Sequence, residues 1–173
     1  MQPSEPPPAT ADDLFAFLEG LGIAPNTVSH PPLFTVEQSR ALRGEIAGAH
    51  TKNLFLVDRK DRLFLVVAGE DAAIDLKSLH RRIGASGRLS FGKPEVLRAA
   101  LGVEPGSVTP FAAMNDQARR VTVVLDRALM EHATLNFHPL TNTATTSLAA
   151  PDLLRFLAAT GHDPLVAALS GPV

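Results

Sequence analysis

The chain has no cysteine, which removes disulfides, iron–sulfur clusters, thiolate zinc sites and thiol nucleophiles from consideration. Nor does it hold a run approaching the 18 or so apolar residues that cross a bilayer. Met1 to Thr10 carries neither a basic segment nor an apolar one, so it does not read as a secretory signal, and a cytoplasmic protein is expected. Four motifs are also missing: G-x-x-x-x-G-K-[ST], G-x-G-x-x-G after a strand, H-E-x-x-H and G-x-S-x-G. ATP hydrolysis, dinucleotide redox chemistry, zincin proteolysis and the common serine-hydrolase elbow therefore lose support. The six histidines, His30, His50, His80, His132, His138 and His162, are scattered, with no two at helical ligand spacing. Neither a metal site nor a cofactor is expected.

What remains is an ordinary foldable chain of 173 residues, 45% hydrophobic and 20% charged, a length that suits one domain. The formal charge is -2, so the molecule as a whole is no nucleic-acid sponge. The charges are unevenly placed, however. Arg40 to Arg98 holds twelve of the sixteen basic residues and seven of the eighteen acidic ones, a net +5. That basic middle either meets a phosphate backbone or is a set of solvated helix faces.

Periodicity and turn residues outline the elements. The Pro-rich stretch 1–11 reads as a loose tail. Asp12 is placed to cap a helix with Leu14, Phe15, Phe17, Leu18 and Leu21 on its apolar face, stopped by Gly20 and Gly22. Val28 to His30 is extended ahead of Pro31, and Thr35 caps a helix over Val36 to Arg43, with Gln38 as its capping-box partner. Asn53 to Val57 and Leu63 to Ala68 are apolar runs around a polar turn, the pattern of a buried hairpin. Helices are expected over Ile74 to Ile83, from Pro94 to Leu101, and over Pro151 to Ala159. Strands are expected at Val121 to Leu125, Leu135 to Phe137 and Thr141 to Thr146. Strands and helices mix without strict alternation, which favours an α+β, mixed-sheet architecture.

Three segments join polar groups to structural punctuation. In His50-Thr51-Lys52-Asn53 a lysine stands at the mouth of an apolar strand, where a cation acts strongly on a carbonyl or phosphate oxygen; it also reads as a lysine that merely marks a strand's start. In Gly106-Ser107-Val108-Thr109-Pro110 the glycine lets a backbone approach a ligand and the proline stiffens the loop, as in many turns. Asn136 to Thr146 packs one imidazole, two amides and four hydroxyls into eleven residues, a binding loop or a polar hairpin whose threonines satisfy the backbone.

Taken together with His30-Pro31-Pro32-Leu33-Phe34-Thr35, these strings resemble the YbaK/ProX superfamily. They are most similar to the free-standing prolyl-tRNA synthetase-associated domain proteins, trans-editing deacylases that hydrolyse alanine mischarged on proline tRNA. The resemblance extends from Asp12 to His162. It implies one mixed α/β domain over 12–173, with a central mixed, mostly antiparallel sheet flanked by helices, as in the editing domain of prolyl-tRNA synthetases. It also implies Lys52, Gly106 and His138 as catalytic residues, the lysine being the most sensitive to loss. Asn53, Ser107, Pro110, Phe34 and Thr145 are expected to contact substrate. The implied partners are the acceptor end of mischarged proline tRNA and prolyl-tRNA synthetase itself, with no DNA, no membrane and no cofactor. Alanine is smaller than proline and slips through a proline pocket, because missing methylenes are worth only about 1–3 kcal/mol. A second site that excludes proline by size resolves this. The alternatives are a deacylase for another small amino acid such as serine, and a non-catalytic module that binds aminoacyl-tRNA or an amino acid.

Overall fold

In the computed structural model, which describes residues 7–32, 41 and 46–170, the apolar run Leu63–Gly69 (β3) is buried on both faces. It lies between Ala49–Val57 (β2), antiparallel to it, and Val121–Asp126 (β5), parallel to it. A strand covered on both sides has no need to alternate apolar with polar residues, which is why its sequence is nearly uniform. The remaining strands are Asn26–Ser29 (β1), Ser90–Phe91 (β4), Thr134–Phe137 (β6), Ala144–Ala149 (β7) and Leu165–Ala167 (β8). The order across the sheet is β1-β7-β6-β2-β3-β5-β8, with β4 attached to β2. Four of the seven pairings are antiparallel, those of β1 with β7, β2 with β3, β2 with β4 and β6 with β7. The expected mixed α/β fold with a mostly antiparallel central sheet is therefore present.

Alternation along β2 and β3 divides the interior in two. Phe55, Leu63, Leu65 and Val67 join the larger core with Phe111, Phe137 and Phe156. Into it pack the helices Ala11–Gly20 (α1), Pro94–Leu101 (α3) and Ala150–Ala159 (α4). Leu54, Leu56, Phe64 and Val66 face the smaller core, covered by the short helix Leu79–Ile83 (α2). Each fully buried Leu, Val or Phe of these clusters contributes roughly 1.5–3 kcal/mol of transfer free energy. No helix of the described residues is long and apolar enough to cross a membrane.

Several elements differ from the sequence reading. Helix α1 is capped by Thr10, not Asp12: the Thr10 hydroxyl accepts from the Asp13 amide and the Asp13 carboxylate accepts from the Thr10 amide. The end of the expected tail is tied down as well, because the Ala9 amide donates to Asn115 Oδ1 at 2.9 Å. Ile74 to Ser78 is not helical, since Asp75 captures the Lys77 amide and the Ser78 hydroxyl and holds a turn instead. Strand β2 starts at Ala49, so Lys52 lies within the strand and not at its mouth. The Thr-rich strand begins only at Ala144, Thr141 and Thr143 being bonded hydroxyl to hydroxyl in the preceding turn. Strands β4 and β8 carry too few residues for a periodicity to register. The expected helix Val36–Arg43, apart from Ala41, lies outside the described residues, as do its Thr35 cap and Phe34.

Candidate active site

Strand β2 changes partner along one edge. At its start β2 pairs in parallel with β6, Ala49 opposite Leu135 and His50 opposite Asn136. At its end it pairs with β4, Leu56 opposite Phe91 and Val57 opposite Ser90. The Gly92 amide extends that contact to the Phe55 carbonyl at 2.9 Å, so on this edge residues 51–54 have no strand beside them among the described residues. Lys52 and Asn53 stand in that opening.

The fork is pinned by Asn136. Its side-chain amide donates to the carbonyls of Ala47 and Ala49 at 3.1 and 3.2 Å, and its Oδ1 accepts from the Ser147 hydroxyl. Thr51 adds a bond from its hydroxyl to the Asn136 carbonyl at 2.7 Å. Gly48 permits this closeness: its φ is +102°, and a Cβ there would meet Asn136 Nδ2 and Thr134 at 3.0 Å. Asn136 is buried and its side-chain atoms are bonded, so its work is to hold β6 on β2 until Thr51, after which the strands part.

Lys52 faces the smaller core with Leu54 and Leu56, and its half-buried side chain ends at the turn after β3, where Nζ donates to the Ala72 carbonyl at 2.5 Å. Among the described residues no carboxylate lies within ion-pair distance of it. A neutral carbonyl is a weaker partner than a carboxylate, so this ammonium can exchange it for an anionic or carbonyl oxygen of a ligand at modest cost. An open hollow of about 430 Å³ adjoins the same turn, lined by His50, Glu70, Asp71, Ala72 and Asp126 among others. Asn53, the next residue, points to the opposite face with Phe55. Its Nδ2 makes a long bond of 3.4 Å to the Thr51 hydroxyl, and its Oδ1 is buried without a partner. A ligand that touches both residues must lie across the open edge.

The β2–β6 pairing ends with His50 opposite Asn136, and His138 follows two residues later, just past the end of β6. The His138 ring is half-buried, and its Nδ1 lies 3.2 Å from the Ala144 carbonyl. A carbonyl only accepts, so Nδ1 carries the proton and the lone pair sits on Nε2, which has no partner among the described residues. Burial lowers the pKa of this imidazole, opposed by the Ala144 carbonyl and assisted by the neighbouring His30. The ring is thus neutral at pH 7 and offers an acceptor. His30 is fixed in the same way: Nδ1 donates to the Pro31 carbonyl at 2.8 Å, and Nε2 accepts from the Thr145 hydroxyl at 2.9 Å. Thr145 is buried, and its hydroxyl is occupied in holding His30. His30 was not among the expected site residues; its signal was a histidine ahead of a proline at the end of an extended segment.

Gly106 lies in a single 3-10 turn, Pro105–Ser107, beside the β6–β7 loop. Its φ is not positive, and a Cβ added there would come only as near as 3.8 Å to Asn142 Nδ2. Neither backbone nor packing demands glycine, so the space its missing side chain leaves is open. Ser107 is buried with its amide on the Glu104 carbonyl. Pro110 is buried at the head of a second 3-10 turn capped by Thr109. These two residues shape the loop from behind. In the same loop cluster Leu140 holds φ at +67°, a conformation that costs a branched side chain of order 1–3 kcal/mol and that persists only where its surroundings impose it. No three histidine, aspartate or glutamate side chains come together as a metal cluster among the described residues.

Comparison with known proteins bears on this arrangement. The aminoacyl-tRNA editing domain family matches residues 30–156. The prolyl-tRNA synthetase associated domain-containing protein 1 of Danio rerio is 42% identical over 156 residues, covering 89% of this chain and 84% of that protein. The prolyl-tRNA editing protein ProX of Acetoanaerobium sticklandii is 37% identical over 150 residues, 86% of this chain and 91% of that one. A solved structure described as "a putative trans-editing enzyme for prolyl tRNA synthetase" superposes with a TM-score of 0.70 at 24% identity, covering 98% of this chain and 100% of the other.

Proposed function

The chain belongs to the aminoacyl-tRNA editing domain family, and from that premise we propose that it is a trans-editing deacylase that hydrolyses the ester of alanine mischarged on proline tRNA. The observation that carries the reading is the edge of β2 beyond its pairing with β6: among the described residues the Lys52 ammonium has only a neutral carbonyl as partner, and just past β6 the neutral His138 imidazole keeps Nε2 free to accept. Relatives named for prolyl-tRNA editing support the choice of substrate.

An aminoacyl ester is already activated, so positioning and electrostatic stabilisation suffice without a protein nucleophile. Lys52 leaves the Ala72 carbonyl and places its ammonium on the ester end of the substrate, at the carbonyl or the terminal phosphate. The Gly106 turn comes close to the carbonyl or the adenosine hydroxyls because it has no side chain in the way. His138 Nε2 accepts from a ribose hydroxyl or from the substrate's ammonium. Water attacks the ester carbonyl carbon, the ribose oxygen departs with a proton, and free alanine and the intact 3′ terminus result. A small pocket admits the alanine methyl and rejects the proline ring.

A deacylation assay on proline tRNA charged with alanine, serine or proline tests this directly. Alanine is released fastest and proline is retained; equal rates on alanine and proline remove the size sieve. Lys52→Ala lowers the rate on the alanyl ester by on the order of 100-fold or more, with an unchanged far-UV CD spectrum. Retained turnover takes Lys52 out of the site.

A further inference from the structure

The open edge of β2 continues onto the edge strand β4, and the side chains along that path take no part in the chemistry above. Phe91 keeps 62% of its surface in water, against 39% or less for the other exposed large apolar side chains among the described residues. A single exposed ring is unremarkable by itself, but this one stands among cations. Lys93 follows in extended conformation and is exposed, as is Arg88 just before the strand. Arg59 is drawn alongside: its amide donates to the Ser86 carbonyl at 2.9 Å, and its stem lies where a Cβ on Gly87 would sit, 2.4 Å away. None of Arg59, Arg88 and Lys93 pairs with a carboxylate among the described residues. Of the acidic side chains nearby, Asp58 is buried and spent on Arg62 and three amides. Among the described residues close by in the sequence, that leaves Asp61 in the turn and Glu95 in the first turn of α3 to oppose the positive charge. Gly92 lets this edge come in close, since a Cβ there would strike the Phe55 ring at 2.3 Å.

An exposed aromatic flanked by unpaired cations is the composition that binds single-stranded nucleic acid, with bases stacked on the ring and phosphates on the charges. We propose that Arg59, Arg88, Phe91 and Lys93 form the track for the single-stranded 3′ end of the aminoacyl-tRNA, and that a base preceding the terminal adenosine stacks on Phe91. The spacing suits the role. Leu56, the partner of Phe91, is four residues beyond Lys52, about 13 Å at ~3.3 Å per residue, a gap that a short single strand bridges from the reacting ester. This inference rests on the deacylase reading for its chemistry but can be measured without it.

Phe91→Ala removes only an exposed ring, so the fold stays intact. On alanine-charged proline tRNA the variant raises KM about tenfold with little change in kcat. On 3′-O-alanyl-adenosine, which lacks the preceding nucleotides, it matches the wild type. Unchanged kinetics on both substrates, or equal loss on both, overturns the track. Binding of an uncharged CCA-ended acceptor-stem RNA, followed by fluorescence anisotropy, weakens about tenfold in Phe91→Ala. Its log–log salt slope falls by about 0.7 for each of Arg59→Gln, Arg88→Gln and Lys93→Gln that loses a phosphate. Phe91-dependent RNA binding by a protein that hydrolyses no ester keeps the track and removes the deacylase; hydrolysis of the tRNA ester indifferent to Phe91 does the reverse. A wild-type dimer that Phe91→Ala dissolves overturns the proposal in favour of edge-to-edge pairing with a second copy.

Discussion

One hairpin, β2 to β3, has a polar cluster at each end, and the two clusters are treated in opposite ways. At the turn, the buried carboxylate of Asp58 accepts four hydrogen bonds: the amides of Lys60, Arg62 and Ser86, each at 2.9 Å, and the Arg62 guanidinium at 2.8 Å. Toward the other end, Lys52 has one neutral partner, Asn53 Oδ1 has none, and His138 across the fork keeps Nε2 free among the described residues. Buried polar groups are costly unless paired. A saturated cluster therefore stabilises the fold, while a cluster left short is held in readiness for something the protein does not itself supply. By this criterion Asp58 is architecture, and the edge of β2 is where the proposed site belongs.

The largest expected effect lies on the unsatisfied side. Because Nδ1 is committed to Ala144, only neutral His138 offers Nε2 as an acceptor. Burial, the main cause, and neighbouring His30 put its pKa below the ordinary value of 6.5, while the Ala144 carbonyl pulls the other way. The acceptor thus persists to lower pH than that of an ordinary imidazole, and the acid limb of kcat/KM for the alanyl ester has its midpoint below 6.5. His138→Ala lowers kcat/KM on the order of 100-fold and abolishes this acid limb, with an unchanged melting temperature. An unshifted limb in the variant assigns the titration elsewhere and weakens the contrast between the two ends.

The saturated side should respond in stability, not activity. Burial would raise the Asp58 pKa, but the hydrogen bonds from Ser86, Arg62 and Lys60 outweigh it and hold the carboxyl at about 2, against 3.8 unperturbed. A carboxyl depressed on folding stabilises above its unfolded pKa. Its contribution is full above about pH 4 and is lost as the pH falls toward 2, amounting to about 2 kcal/mol. The side chain has no exposed surface, so solvent screening does not reduce this much. Asp58→Asn loses that amount in urea denaturation at pH 7 and flattens the acid dependence between pH 4 and 2. Deacylation at 25 °C stays within twofold of wild type; a large kinetic loss would mean that the turn, too, belongs to the site.

The sequence made these two ends legible to different degrees. The hairpin showed through its two apolar runs, and α3 through Pro94 at its start and Gly102 at its end, where φ is +65°. The Lys52 and His138 strings were visible as chemistry. That β2 and β6 run side by side was not, because the fork depends on Asn136, a residue 86 positions from His50 whose side chain bonds to the far strand. Non-local pairings of this kind leave no periodicity to read. Strand β8, three residues long, is placed by its neighbour β5, and the Asp75 turn beat helical spacing through a side chain that competes with the backbone. His30 escaped notice as a site residue because its role comes from Thr145, 115 positions away.

The smallest effect gives the sharpest test of the comparison. Gly106 sits on the unsatisfied side, yet its backbone needs no glycine, and a methyl group would have only Asn142 Nδ2 for company at 3.8 Å. If the protein's own packing governed this position, Gly106→Ala would be silent or slightly stabilising, since alanine narrows the unfolded ensemble at a compatible backbone by roughly 0.4–1 kcal/mol. If the open space belongs to the substrate, the same methyl stands where the ester or ribose must lie. The expected result is therefore a melting temperature equal to or a little above wild type, together with about a tenfold loss of kcat/KM, the scale of one contact weakened by about 1.4 kcal/mol. Higher stability with full activity would place the substrate elsewhere along the open edge. Lower stability would mean that the turn is packed more tightly than its geometry indicates, and the division between saturated architecture and unsaturated site would no longer hold there.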